Sequence, residues 1–188
     1  MKKIVLLATV MILAGMIANA QVGTDKELHV PIAKYQTYTW TSDINMIPSS
    51  SVFIGPNNVL IFNNPSTRNR LKQAIQYELG ARDYRMSQSN PDFLVGFDVL
   101  EQPADLVTYN GYKMLYNGLD STRTNENVGK THVEAGTVMI KFVDAKSGEQ
   151  VWQGFNSGAL NPGMANNDQK IRAAISEIFR QYKYTAQR

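Results

Sequence analysis

The sequence predicts an α+β fold, an antiparallel-rich β-sheet with two helices packed on one face, in the order β-α-β-β-β-α. Three observations predict it. The stretches from Asn64 to about Arg82 and from Asp168 to Tyr182 repeat apolar residues at helical spacing. The segments around Tyr38 and Phe93 alternate with the period of a strand, and Gly136 to Phe155 reads as two strands joined by a glycine turn. Helices that are few and set apart from a hairpin-rich sheet form one layer laid on another.

The first element is an address rather than a fold. Met1-Lys2-Lys3 is a short positive segment, Ile4 to Ile17 is free of charge, and Ala18-Asn19-Ala20 has the small-x-small pattern of a signal peptidase site. This apolar run falls short of the ~20 residues a membrane-spanning helix needs. Cleavage is therefore expected between Ala20 and Gln21, with export to the periplasm or medium and no transmembrane span afterwards. Lys2 and Lys3 leave with the signal, so 19 basic residues become 17 against 16 acidic ones and the formal charge of +3 falls to +1.

Gln21 to Lys34 is polar and aperiodic and is expected to be a flexible leader, followed by a single domain from Tyr35 to Arg188. Tyr35 to Thr41 alternates hydroxyl and aromatic residues, with Tyr38 and Trp40 on one face. Within the long connection Asp43 to Asn64, Val59 to Phe62 reads as a short buried strand or a loop plug. Asn64 or Ser66 supplies a helix cap and Pro65 needs no donor there. Leu71, Ala74, Ile75 and Leu79 line the buried face of that helix, and Asp83 suits a left-handed cap.

Asn90-Pro91 breaks the chain, and a strand follows with Phe93, Val95, Phe97 and Val99 facing the core. Gln102 to Lys130 has no clear period; Asn110-Gly111 and Asn117-Gly118 are hairpin-turn pairs within it. Val138, Ile140 and Phe142 point one way along the next strand. Asp144 to Gly148 forms a turn, with glycine where positive φ costs little. Gln150 to Phe155 returns, and Ile171, Ala174, Ile175, Ile178, Phe179 and Tyr182 stripe the final helix.

These residues carry a resemblance. Tyr38-Thr39-Trp40, the helix ending before Asp83-Tyr84, Asn90 to Val95, Gly136 to Ile140, Asp144 to Gly148, Val151-Trp152-Gln153-Gly154 and the Ile-rich last helix occur in an order that resembles the bacterial envelope proteins grouped as domain of unknown function 4136. The resemblance runs from about Tyr35 to Tyr182 and implies the fold and the envelope compartment. It implies no catalytic residue. Many members are lipoproteins, whereas this chain has no Cys, so a form without a lipid anchor is expected.

Composition removes several chemistries. With no Cys and two His, disulfides, thiolate metal sites and multi-histidine centres are not expected, and neither a metal nor a cofactor is. No phosphate-binding glycine loop is present, and no Lys/Arg cluster marks a nucleic-acid partner. Each remaining candidate has two readings. Trp152 is a ligand platform, or packs at the sheet edge or under a helix with Gly154 letting another backbone approach. Asp144 to Glu149 lacks the acidic ladder of a calcium loop and reads as a turn. His132 with Glu134 is an acid/base pair or a solvated one; Asp98 with Glu101 is a glycosidase-like carboxylate pair or simply exposed. Tyr109, Tyr112 and Tyr116, set among Asn and Gly, form a binding surface or cover the sheet. The expected function is that of an exported, non-catalytic envelope protein that binds a partner protein or envelope component. The alternatives are a glycan- or small-ligand-binding module and, third, a hydrolase using the paired acids.

Overall fold

The computed structural model describes residues 22–26, 32–42, 62–109, 114–115, 128–160 and 167–187, with 22–26, 107–109, 114–115 and 128–129 described by backbone alone. In chain order these form β1 (Val22–Lys26), a 3-10 turn (Ile32–Lys34), β2 (Thr37–Trp40), α1 (Pro65–Gly80), β3 (Arg85–Met86), β4 (Phe93–Val99), β5 (Ala104–Tyr109), β6 (Met114–Leu115), β7 (Val128–Val133), β8 (Val138–Asp144), β9 (Glu149–Asn156) and α2 (Asp168–Phe179).

The main sheet has the order β1, β9, β8, β4, β2, β3, with β6 pairing the start of β9; β5 and β7 make a separate two-stranded sheet. The fold is α+β as read, with a mixed sheet. β4, β8, β9 and β1 are antiparallel neighbours, whereas β2 lies parallel to β4 and β3 parallel to β2. The parallel half follows from connectivity: α1 lies between β2 and β4, and a strand reached through a crossover helix returns in the same direction. The expected hairpin is β8 and β9, and Gly148 at φ 69 makes the turn.

The stretch expected to be a flexible leader holds structure instead. β1 pairs β9 from Val22↔Asn156 to Lys26↔Trp152, and Ile32 in the 3-10 turn is buried. β1 joins the sheet through its main-chain ladder although its sequence, Val-Gly-Thr-Asp-Lys, carries no apolar alternation.

α1 begins as its residues dictate. The Asn64 side chain caps it by accepting from the Thr67 amide at 3.0 Å, and Pro65 occupies the first position. It ends at Gly80, two residues short of the expected Arg82, and Asp83 takes the left-handed conformation at φ 64. Asn167 caps α2 through the Lys170 amide at 3.1 Å. Both apolar stripes are buried against the same sheet face: Leu71, Ile75 and Leu79 from α1, and Ile171, Ile175 and Ile178 from α2. Tyr182, just past α2, joins a ring cluster in which Phe142 lies 4.7 Å from Trp152 and 5.0 Å from Phe93. On the opposite face Met139 and Phe155 form a second, smaller core with Val133.

Two aspartates pin the sheet. Asp92 Oδ2 accepts from the amides of Gln36 and Thr37 and from the Thr37 hydroxyl, each at 2.9 Å, so the entry to β4 fixes the start of β2. Asp144 accepts from the Lys146 and Ser147 amides in the hairpin turn and, through its other oxygen, from the Tyr35 hydroxyl at 2.5 Å.

Candidate functional site

The end of α1, the short strand β3 and the C-terminal segment meet around a cleft of about 440 Å³ lined by Gln36, Gly80, Asp83, Tyr84, Arg85, Ala186 and Gln187. Three turns of chain build it. The α1 stop at Gly80 and the left-handed Asp83 reverse the chain so that Arg85 can donate its amide to Gln36 O at 3.0 Å. The tail after α2 is held by the Ala186 amide on Arg82 O at 2.9 Å. Arg82 is fixed in turn by Glu78 at 2.6 Å and by the carbonyl of Phe179 at 2.9 Å. Tyr84 supplies the floor, its hydroxyl turned inward to Tyr182 at 2.9 Å. Burial raises the Tyr84 and Tyr182 hydroxyls above the ordinary tyrosine value, so both remain neutral hydrogen-bonding groups.

Two large apolar side chains are exposed among the described residues, Tyr77 at 68% and Met86 at 52%. Neither is among the residues that line the cleft. Tyr77 lies three residues before the cleft-lining Gly80, on the same side of the helix, and Met86 follows Arg85 on the sheet's edge strand. An exposed apolar residue by itself is ordinary; the cleft with polar lining residues is the concave surface that a ligand or partner could enter.

Sequence reasoning missed this site. The signal for Tyr77 was present, since it falls off the Leu71, Ile75 and Leu79 stripe and so places an aromatic ring on the polar face. Nothing local joins Gln36 to Gln187.

The residues that the sequence singled out lie elsewhere. Trp152, offered as a ligand platform, is a core residue at 2% exposure, enclosed by Phe142, Phe179 and Tyr182. Its ring lies over Gly154, so the space that this glycine leaves is filled by side chains, the Trp152 ring and Ile178, and not by another backbone as expected. Tyr109 ends β5, where its backbone pairs with Val128, and its side chain lies outside the described residues, as do Tyr112, Tyr116, Ala20 and Gln21. Asp98 and Glu101 have separate partners: Asp98 pairs with Lys141 at 2.7 Å. Glu101, read as a possible exposed acid, is 6% exposed and accepts the Phe62 and Asn63 amides. His132 meets Asp105 across β5 and β7 at 2.9 Å with both side chains in solvent, and Glu134 is likewise exposed. Among the described residues no group of three or more His, Asp or Glu gathers as a metal site. None of the described helices is long and apolar enough to cross a membrane.

A family model described as Domain of unknown function (DUF4136) matches residues 22–182. No curated relative matches the chain. Among solved structures, a DUF4136 family protein from Bacteroides thetaiotaomicron is similar in fold, with a TM-score of 0.57 at 14% identity over 89% of this chain and 98% of that one. A PDZ domain protein from Parabacteroides distasonis matches with a TM-score of 0.48 at 15% identity, over 89% of this chain and 36% of that one. A PelC dodecamer from Paraburkholderia phytofirmans matches with a TM-score of 0.45 at 11% identity, over 88% of this chain and 98% of that one.

Proposed function

The chain belongs to the DUF4136 family, and from that premise we propose that it is an exported envelope protein, periplasmic or secreted once residues 1–20 are removed, that acts by binding a partner protein or envelope component. The observation that carries the reading is the cleft of about 440 Å³ between the end of α1, β3 and the C-terminal segment, on a domain that also leaves Tyr77 and Met86 exposed. The charged side chains most suggestive of chemistry have structural roles: Asp98 with Lys141, Asp144 with Tyr35, and Glu101 with the Phe62 and Asn63 amides. Tyr109, Tyr112 and Tyr116 belong to the same reading as a second contact surface, and their replacement by Ser should weaken capture of a partner without unfolding the domain.

The test is crosslinking in the exporting cell. A photoreactive phenylalanine at position 77 or 86 should yield a discrete adduct in the envelope fraction, and the same group at Gln169, exposed in the first turn of α2, should not. Identical adduct patterns from all three positions, or a chain that stays in the cytosol with residues 1–20 attached, would refute it.

A further inference from the structure

We propose that pairing of β1 with β9 and cleavage between Ala20 and Gln21 exclude each other, so that β1 joins the sheet only in the processed chain. The inference rests on the export reading above and adds the order in which processing and folding must occur.

The strand register carries it. β1 opens at Val22, which pairs with Asn156, and Val22 is the second residue past the expected scissile bond. A protease holds its substrate extended, through main-chain hydrogen bonds on both sides of the bond it cuts, and those are the groups a neighbouring strand uses. With Val22 in the ladder they are committed to β9. The row of Cα partners runs on from Val22 through Asn156 and Val138 to Val99. The ends of four strands therefore lie level with the residue after Gln21.

Reach adds a second obstacle. The apolar run ends at Ile17, five residues before Val22, and five extended residues span about 17 Å at most. While the signal is held in a bilayer, a paired β1 keeps that end of the sheet within this distance of the hydrocarbon, where the peptidase has to work.

The sheet has its support without β1. β9 is paired along its other edge with β8, from Val138↔Asn156 to Val143↔Gln150. Its side chains are fixed on both faces, Val151 and Trp152 in the helix-side core and Phe155 against Met139. β1 itself, Val-Gly-Thr-Asp-Lys, has a glycine and an aspartate that disfavour strands and no apolar stripe. An edge strand held by its ladder opens locally at small cost, and cleavage then follows the population of the open form. A β1 that cannot open protects the bond.

The experiment locks the strand. The chain has no Cys, and Asp25 and Gln153 are Cα partners, a cross-strand spacing of about 4.5–5.5 Å that a disulfide spans. The Asp25→Cys/Gln153→Cys precursor, residues 1–188, is folded in detergent micelles, oxidised or kept reduced, and given to a signal peptidase. The reduced form should be cut between Ala20 and Gln21, and the oxidised form about tenfold or more slower, with reductant restoring the rate. Thr24→Pro, made in the wild-type precursor, removes a main-chain donor from β1 and should be cut faster than wild type; this arm leaves the buried position 153 untouched. Equal rates for the locked and reduced forms, thiols that an oxidant leaves unjoined in the folded chain, or equal rates for Thr24→Pro and wild type would each overturn the proposal. A reduced precursor left uncut at that bond removes the export reading and this proposal with it, whereas equally fast cutting of both forms leaves that reading standing and removes only the order proposed here.

Discussion

Glu101 accepts the backbone amide of Phe62 at 2.8 Å from 39 positions along the chain. The same oxygen takes the amide of Asn63, and Arg68 reaches Asn63 Oδ1 at 2.8 Å while its guanidinium lies 4.6 Å over the Phe97 ring. The carboxylate thus ties the approach to α1 to the end of β4 in a site closed to water. Glu101→Ala should cost about 2–4 kcal/mol, because it strands two buried amide donors at about 1–3 kcal/mol each. Glu101→Gln keeps a carbonyl in place and should cost clearly less. Urea unfolding of the two variants checks the ranking, and equal losses would show that the amides find another acceptor.

Gly154 leaves its side-chain space to Trp152. A Cβ there would stand 2.6 Å from two ring carbons of Trp152 and 2.7 Å from Ile178 Cγ2. The tryptophan is wedged among Phe142, Phe179 and Tyr182 and has little room to retreat. Gly154→Ala is expected to destabilise by about 1–3 kcal/mol through overpacking, or several degrees in thermal midpoint at about 2–4 °C per kcal/mol. Calorimetry decides it, and an unchanged midpoint would mean that α2 yields freely.

The acid limb of stability should depend on Asp92 and Asp144. Burial raises both carboxyls, but the donors around them outweigh it: the Gln36 and Thr37 amides at Asp92, and the Tyr35 hydroxyl with the turn amides at Asp144. Each therefore titrates below its unfolded value of 3.8. The stability they add is complete above that value and is lost as pH falls through the lower folded values. Asp92→Asn and Asp144→Asn should lower stability at neutral pH and flatten its decline below about pH 4. Urea midpoints measured from pH 7 down to 2 test this, and variant curves running parallel to wild type would exclude the two carboxyls as the cause.

Periodicity made legible whatever is decided within one element. Leu71, Ile75 and Leu79 recur at helical spacing because they face one core, and Phe93, Val95 and Phe97 alternate for the same reason. Both helices and the β8–β9 hairpin could be read from such patterns. What stayed hidden was decided by main chain or by distance. β1 pairs with β9 through its main chain although its residues carry no strand period, and β2 runs parallel to β4 because α1 intervenes. Glu101 looks like a surface acid until the amides of Phe62 and Asn63 are brought to it. The Trp152 reading turned on Gly154, whose missing side chain makes room for the ring. The cleft joins residues 36, 85 and 187, a proximity that topology creates and no local pattern encodes.

The alkaline limb belongs to the tyrosines. Burial raises the hydroxyls of Tyr35, Tyr38, Tyr84 and Tyr182 above the ordinary value of 10.0; Asp144 adds to the effect at Tyr35, and Tyr84 adds to it at Tyr182. A group whose ionisation is suppressed in the fold adds stability that is fully present below the unfolded value and is lost as pH rises above it. Of nine tyrosines, these four should stay neutral in the native protein and ionise together when it unfolds at high pH. Near-ultraviolet titration should therefore show a late phase that coincides with loss of helical circular dichroism. Tyr35→Phe should lower stability at pH 7 by about 1–2 kcal/mol, through the lost hydrogen bond to a carboxylate, and reduce the late phase by one tyrosine. A single reversible titration near pH 10 with the helical signal intact would show that these rings are open to solvent.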